Sequence, residues 1–166
     1  MKTKIVSLLA ILALGMAFCF NASAAKTKPL KGADKFHYDI EYIKSAGDGI
    51  STVDVFAYGK NKQEAWDRCE MCAVHGVIFK GYSGNGSYQS PLARSASSYD
   101  DNIDFFNNFF DNGEYRRYIS NVLDGSQRII KIKGGVKVEC VVNVNVKMLR
   151  KHLEEAGIIK GLSSGF

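Results

Sequence analysis

The sequence predicts an α+β domain, with one mainly antiparallel sheet of about five strands and helices packed on one of its faces. Three observations carry this. Val136–Val146 alternates valine or cysteine with lysine, glutamate and asparagine, the period of a half-buried strand. Phe36–Lys44 and Ile50–Tyr58 alternate in the same way on either side of Ala46-Gly47-Asp48-Gly49, which reads as a hairpin. The stretch after Gly59 has helical spacing, with Ala65, Cys69, Cys72, Ala73, Gly76 and Val77 on one stripe flanked by Trp66.

That helix starts at Asn61, an N-cap with Glu64 three residues on, and runs to about Val77–Lys80 before Gly81. Its buried stripe is made of small side chains, so its axis can lie close to the sheet, whose larger residues fill the layer. Glu64, Asp67, Arg68, Glu70, Met71 and His75 fall on the opposite, wet side, where Glu64 and Arg68 form an i,i+4 pair.

The chain begins with a secretory leader. Lys2 and Lys4 precede the apolar run Ile5–Phe20, and Ala22-Ser23-Ala24 has the small-x-small form of a cleavage site. Export to a periplasm or cell envelope follows. The alternative, lipidation of Cys19, places bulky Phe18 where lipoprotein processing takes a small residue. Removing 24 of the 166 residues leaves 142, a single domain of ordinary size. Taking Lys2 and Lys4 from 22 basic residues against 17 acidic ones leaves a charge of +3. So mild a charge suits peripheral association with an anionic envelope surface and is no footprint for nucleic acid.

Residues 25–35 are a polar lead-in, the domain spans 36–160, and 161–166 form a tail. In the first strand Phe36, Tyr38, Ile40 and Tyr42 share one face, and His37, Asp39 and Glu41 the other; the latter is read as a solvated face in preference to a metal site. Tyr82–Ser98 is rich in serine and glycine and reads as a long mobile loop. Asp100 or Asp101 caps a second helix, in which Phe105, Phe106, Phe109 and Phe110 form a core face and Gly113 is the stop. Strands are expected over Tyr115–Val122, Arg128–Lys133 and Val136–Val146, with turns at Asp124-Gly125 and Gly134-Gly135. A last helix, Lys147–Ala156, sends Met148, Leu149 and Leu153 to the core, pairs Arg150 with Glu154 and Lys151 with Glu155, and ends at Gly157.

Val53-Asp54-Val55, Gly59, then Ala65, Cys69 and Ala73, and later Val142-Asn143-Val144-Asn145-Val146 with Leu149 and Leu153 resemble the N-terminal α/β module of FlgT-type flagellar-assembly proteins and related small envelope lipoproteins. The resemblance covers most of Thr52–Gly157. It implies the fold and an assembly setting; its motif consists of packing residues and carries no catalytic residue across.

Three sets of side chains are candidates for chemistry or contact. Cys69 and Cys72 form a C-x-x-C, and with Cys140 they leave an odd thiol count. The pair lies two turns inside the helix on its buried stripe, away from the N-terminus where the dipole activates a thiol, so small core residues is the preferred reading over a disulfide, zinc with His75, or redox work. Tyr82, Tyr88 and Tyr99 offer a loop contact surface. Arg116 and Arg117, with Lys131 and Lys133 and neighbouring Lys137, offer a basic patch. His152 is expected exposed. The expected function is non-catalytic interaction or assembly with an envelope protein partner and no cofactor. The alternatives are a thiol- or metal-dependent protein using Cys69 and Cys72, or small-ligand binding beside the Tyr82–Ser98 loop.

Overall fold

A computed structural model describes residues 36–123 and 128–161. The leader with its Cys19 alternative, the lead-in, the Asp124-Gly125 turn and the tail beyond Gly161 lie outside the described residues. The chain forms β1 (Tyr38–Gly47), β2 (Ile50–Gly59), α1 (Lys62–His75) prolonged by a π-helical turn (Gly76–Lys80), β3 (Tyr82–Gly84) and β4 (Ser87–Gln89). There follow α2 (Ser98–Asp101), α3 (Ile103–Asp111), a 3₁₀ turn (Glu114–Tyr118), β5 (Ile119–Val122), β6 (Arg128–Ile132), β7 (Gly135–Asn145) and α4 (Val146–Glu155).

The fold is α+β with one sheet, of seven strands where about five were expected. Its order is β4-β3-β1-β2-β7-β5, and β6 pairs with the other half of β7. Pairings are antiparallel except the single β1–β3 contact, Glu41 opposite Ser83. β2 and β7 run in register from Ile50 opposite Asn145 to Gly59 opposite Val136. Their common inner face, Val53, Val55 and Ala57 with Val138, Cys140, Val142 and Val144, is buried and takes α1.

α1 starts as its sequence dictates. Asn61 Oδ1 accepts from the Glu64 amide at 2.9 Å, and the Glu64 carboxylate reaches back to the Lys60 amide at 2.9 Å. Ala65, Cys69, Cys72, Ala73, Gly76 and Val77 are all buried. Gly59 makes the tight entry possible, because a Cβ there would lie 2.5 Å from the Ala65 amide nitrogen. The Cys69 thiol lies between the two strands, 3.5 Å from both the Val55 and the Val138 carbonyl oxygens.

Five expectations need correction. Tyr82–Ser98 is not a structureless loop. Asn85 and Gly86, both with positive φ, turn the β3–β4 hairpin, and Leu92 and Ala93 are buried. The amides of Leu92 and Ala93 bond to the Val77 and Ile78 carbonyls at 3.1 and 2.8 Å, oxygens that the widened π turn presents outward. Asp100 and Asp101 sit inside the short α2, and Asn102 (φ −129, ψ 36) breaks the chain before α3. Glu114–Tyr118 is 3₁₀ rather than strand, so Tyr115 and Tyr118, three apart, share the buried side. The turn after β6 falls at Lys133-Gly134, where Gly134 has φ 86, one residue earlier than expected. Met148 is exposed, since Leu149 and Leu153, one turn apart, take the core side of α4. The ion pairs expected on α4, Arg150 with Glu154 and Lys151 with Glu155, are present.

Overpacking the α1–sheet interface is the sharpest check on this architecture. Ala73→Leu and Gly59→Ala are each expected to lower unfolding stability in urea by about 1–3 kcal/mol, and Cys69→Ala by less than either. Three unchanged denaturation midpoints would show that α1 does not set the layer spacing.

Candidate functional site

The three thiols converge under α1 and are free and buried. The Cys140 thiol donates toward the Cys69 sulfur, and this bond followed by burial raises the Cys140 pKa; burial first, then the neighbouring Cys69, raises that of Cys72. Thiols held protonated in this way make poor nucleophiles and poor metal ligands. Among the described residues no group of three or more His, Cys, Asp or Glu side chains is placed to hold a metal ion.

The loop tyrosines are not brought together. Tyr82 is buried and donates its hydroxyl to Ser51 Oγ at 3.0 Å. Tyr99 is half-buried, stacks on Phe106 at 5.3 Å and donates to Asn107 Oδ1 at 3.2 Å. Of the three, only Tyr88 stands well out, 64% exposed. The basic residues separate too. Arg116 lies over the Tyr115 ring and reaches Asp67 and Glu70 of α1 at 3.6 and 3.5 Å. Arg117 is exposed on the same 3₁₀ turn, whereas Lys131 and Lys133 stand on β6 and its turn. Lys137 covers the rings of Phe56 and Tyr58 at 4.4 and 5.7 Å.

Two histidines expected in solvent are instead built into the aromatic layer. His75 stacks on Phe36 at 3.8 Å between centroids and is flanked by Phe79 at 4.9 Å and Phe110 at 5.7 Å. Its Nδ1 shares a hydrogen bond of 2.7 Å with the Tyr38 hydroxyl. Burial, then the charge of Lys80, pushes the His75 pKa down to about 3. Burial, then Cys72, raises that of Tyr38. On the other side of α3, His152 packs among Phe105, Phe109 and Tyr118, with Nε2 buried and without a hydrogen-bond partner among the described residues. The α3 phenylalanines thus divide between the two histidines, Phe110 beside His75 and Phe105 beside His152, with Phe109 reaching toward the latter. Helical angle alone misplaced His75, because it considered only the sheet under α1 and not the aromatic layer beside it.

On the outer sheet face, exposed Arg128 grips the buried carboxylate of Glu139 through two bonds, one of 2.8 Å from Nη2, and this lowers the Glu139 pKa. Asp54 lies beside this pair with Oδ1 buried and, among the described residues, without a hydrogen-bond partner. Burial first, then the Glu139 charge, raises its pKa to about 6. This trio was missed in the sequence, since Arg128 and Glu139 meet only through the β6–β7 register. The chain edge beside them carries the most exposed aliphatic cluster described: Ile129, Ile130 and Ile132 of β6 are 44%, 47% and 40% exposed.

No family model matches the chain. Comparison with curated proteins and with solved structures gives no significant match either.

Two pH effects of opposite sign follow. A histidine whose folded pKa is depressed stabilises the fold above its unfolded value near 6.5 and loses that contribution as pH falls toward about 3. Stability should therefore decline by on the order of a few kcal/mol across that window through His75, and His75→Gln should flatten the decline measured by urea unfolding at a series of pH values. Asp54 works the other way, because its raised pKa favours the protonated folded form: its contribution is full below its unfolded value of 3.8 and lost as pH rises through about 6. Asp54→Asn should stabilise the protein at pH 7 and make no difference near pH 3; a loss of stability at pH 7 would show the charge to be needed.

Proposed function

We propose that the chain is an exported, non-catalytic interaction or assembly module of the cell envelope. One observation carries this reading: the side chains with chemical potential are taken up in the interior, while the protruding ones at one sheet edge are apolar and basic. The thiols, His75 and Tyr38 are spent on packing and hydrogen bonds, whereas Ile129, Ile130 and Ile132 meet solvent on β6. Exposed aliphatic side chains at a sheet edge cost solubility unless they are used for contact. The resemblance of Thr52–Gly157 to FlgT-type assembly modules belongs to this proposal, and export rests on the leader. A mature charge of +3 supports residence at an anionic envelope surface.

The test is photo-crosslinking in the source cell, with the reactive group placed at Ile132 and, as control, at exposed Lys62 of α1. A discrete adduct in the envelope fraction from Ile132 and not from Lys62 is expected. Absence of any adduct from Ile132 in that fraction would remove the assembly reading.

A further inference from the structure

The sheet has unequal edges. At one end β4 is three residues long and closes on the tight Asn85-Gly86 turn. At the other, β5 is four residues long with an irregularity between Ile119 and Asn121. β6 beside it is different: it pairs with β7 from Arg128 opposite Glu139 to Ile132 opposite Gly135 with no register shift, and it contains no proline. Edge strands of stable monomers are ordinarily blunted by shortness, bulges, proline or charge. β6 carries three isoleucines with Arg128, which is tied to Glu139, and Lys131.

Its hydrogen-bonding groups can be assigned. The two-residue turn Lys133-Gly134 makes Ile132 and Gly135 a hydrogen-bonded pair, and antiparallel pairing alternates from there. Ile132, Ile130 and Arg128 therefore bond to β7, whereas the amides and carbonyls of Ile129 and Lys131 point away from it. The same parity appears farther along β7, where the Val141 carbonyl accepts from the Leu123 amide at 2.9 Å on the β5 side. Arg128, Ile130 and Ile132 project on the face of Glu139, and Ile129 and Lys131 on the other.

From this we infer that the free edge of β6 accepts an added β-strand from an acidic, extended segment of another protein. The inference rests on the assembly reading above and names the partner's chemistry. Alternate aliphatic positions of the incoming strand would lie beside Ile130 and Ile132 on one face, and its carboxylates on the other face beside Lys131, which like Lys133 meets no carboxylate among the described residues. Two main-chain residues whose groups point away from β7, and that pair with no other strand among the described residues, give up to four ladder bonds, and side-chain alternation supplies the selectivity. A second copy of β6 fits less well, because it brings Lys131 and Lys133 against an edge that already holds the same charges.

The probe is a blocked synthetic peptide of alternating valine and glutamate, with the valine–lysine peptide as control, added to the whole chain. Amide exchange followed by NMR should slow by about tenfold or more at Ile129 and Lys131 with the glutamate peptide only, and Ile130, already bonded to β7, should not change. Lys131→Pro removes an outward amide that β7 does not use, so it should weaken peptide binding by about tenfold or more while the unfolding midpoint holds. Should that variant unfold, Lys131→Glu serves instead and should reverse the preference toward the lysine peptide. Unslowed Ile129 and Lys131 amides, equal binding of both peptides, or concentration-dependent protection with dimers in sedimentation would each overturn the inference. Ile132 adducts that persist in cells carrying Lys131→Pro, with no peptide binding, would sink the edge inference and leave the assembly reading standing. Peptide binding without any envelope adduct would do the reverse.

Discussion

The close approach of α1 to the β2–β7 pair is the constraint on which the rest of the molecule depends. A helix with alanine, cysteine and glycine along its seam can lie near a sheet whose facing residues are valines, and Gly59 lets its first turn press against the strand it leaves. The Cys69 thiol sits in the seam, within reach of a carbonyl on each strand. Sulfur here acts as a compact apolar filler with a weak donor.

A layer this thin must be filled from the side, and the phenylalanines of α3 do so. Aromatic rings bring large apolar area at low entropy cost, and edge-to-face contacts among them recur from Phe36 to Phe109. His75 and His152 enter this layer as further flat rings. The Tyr38 hydroxyl and Nδ1 of the buried imidazole share one hydrogen bond, so each has a partner in the layer. The outer face follows different physics. There Asp54 and Glu139 share a neighbourhood with a single guanidinium, and the carboxylate that Arg128 does not grip is the one whose proton is held more tightly.

Much of this was written in local pattern. The valine alternation of β7, the Asn61–Glu64 cap, the small seam of α1 and the Leu149–Leu153 face needed only period and chemistry to be found. What local pattern could not supply was pairing. Tyr82–Ser98 looked shapeless by composition, yet its Asn85-Gly86 dipeptide is a strong hairpin signal, and Leu92 and Ala93 are held by carbonyls of the last helical turn before Gly81. Tyr115 and Tyr118 fit a strand or a 3₁₀ turn equally until their packing decides. His75 was placed correctly on the helix and wrongly in space, because the rings that enclose it come from residues 36, 79, 99 and 110. The thiols were placed well: their position on the seam was legible, and only their mutual contact was not.

The pairing of β2 with β7 also has a consequence in time. Ile50 meets Asn145 and Gly59 meets Val136, so the strand that completes the bed of α1 lies near the end of the chain. During synthesis the β1–β2 hairpin and α1 emerge first, with one side of β2 unpaired and half of the helix seam uncovered. Closing so long a loop is entropically costly, and chains dominated by such separations fold slowly. Between the emergence of α1 and that of β7 this protein therefore presents an open strand edge and an apolar helix flank.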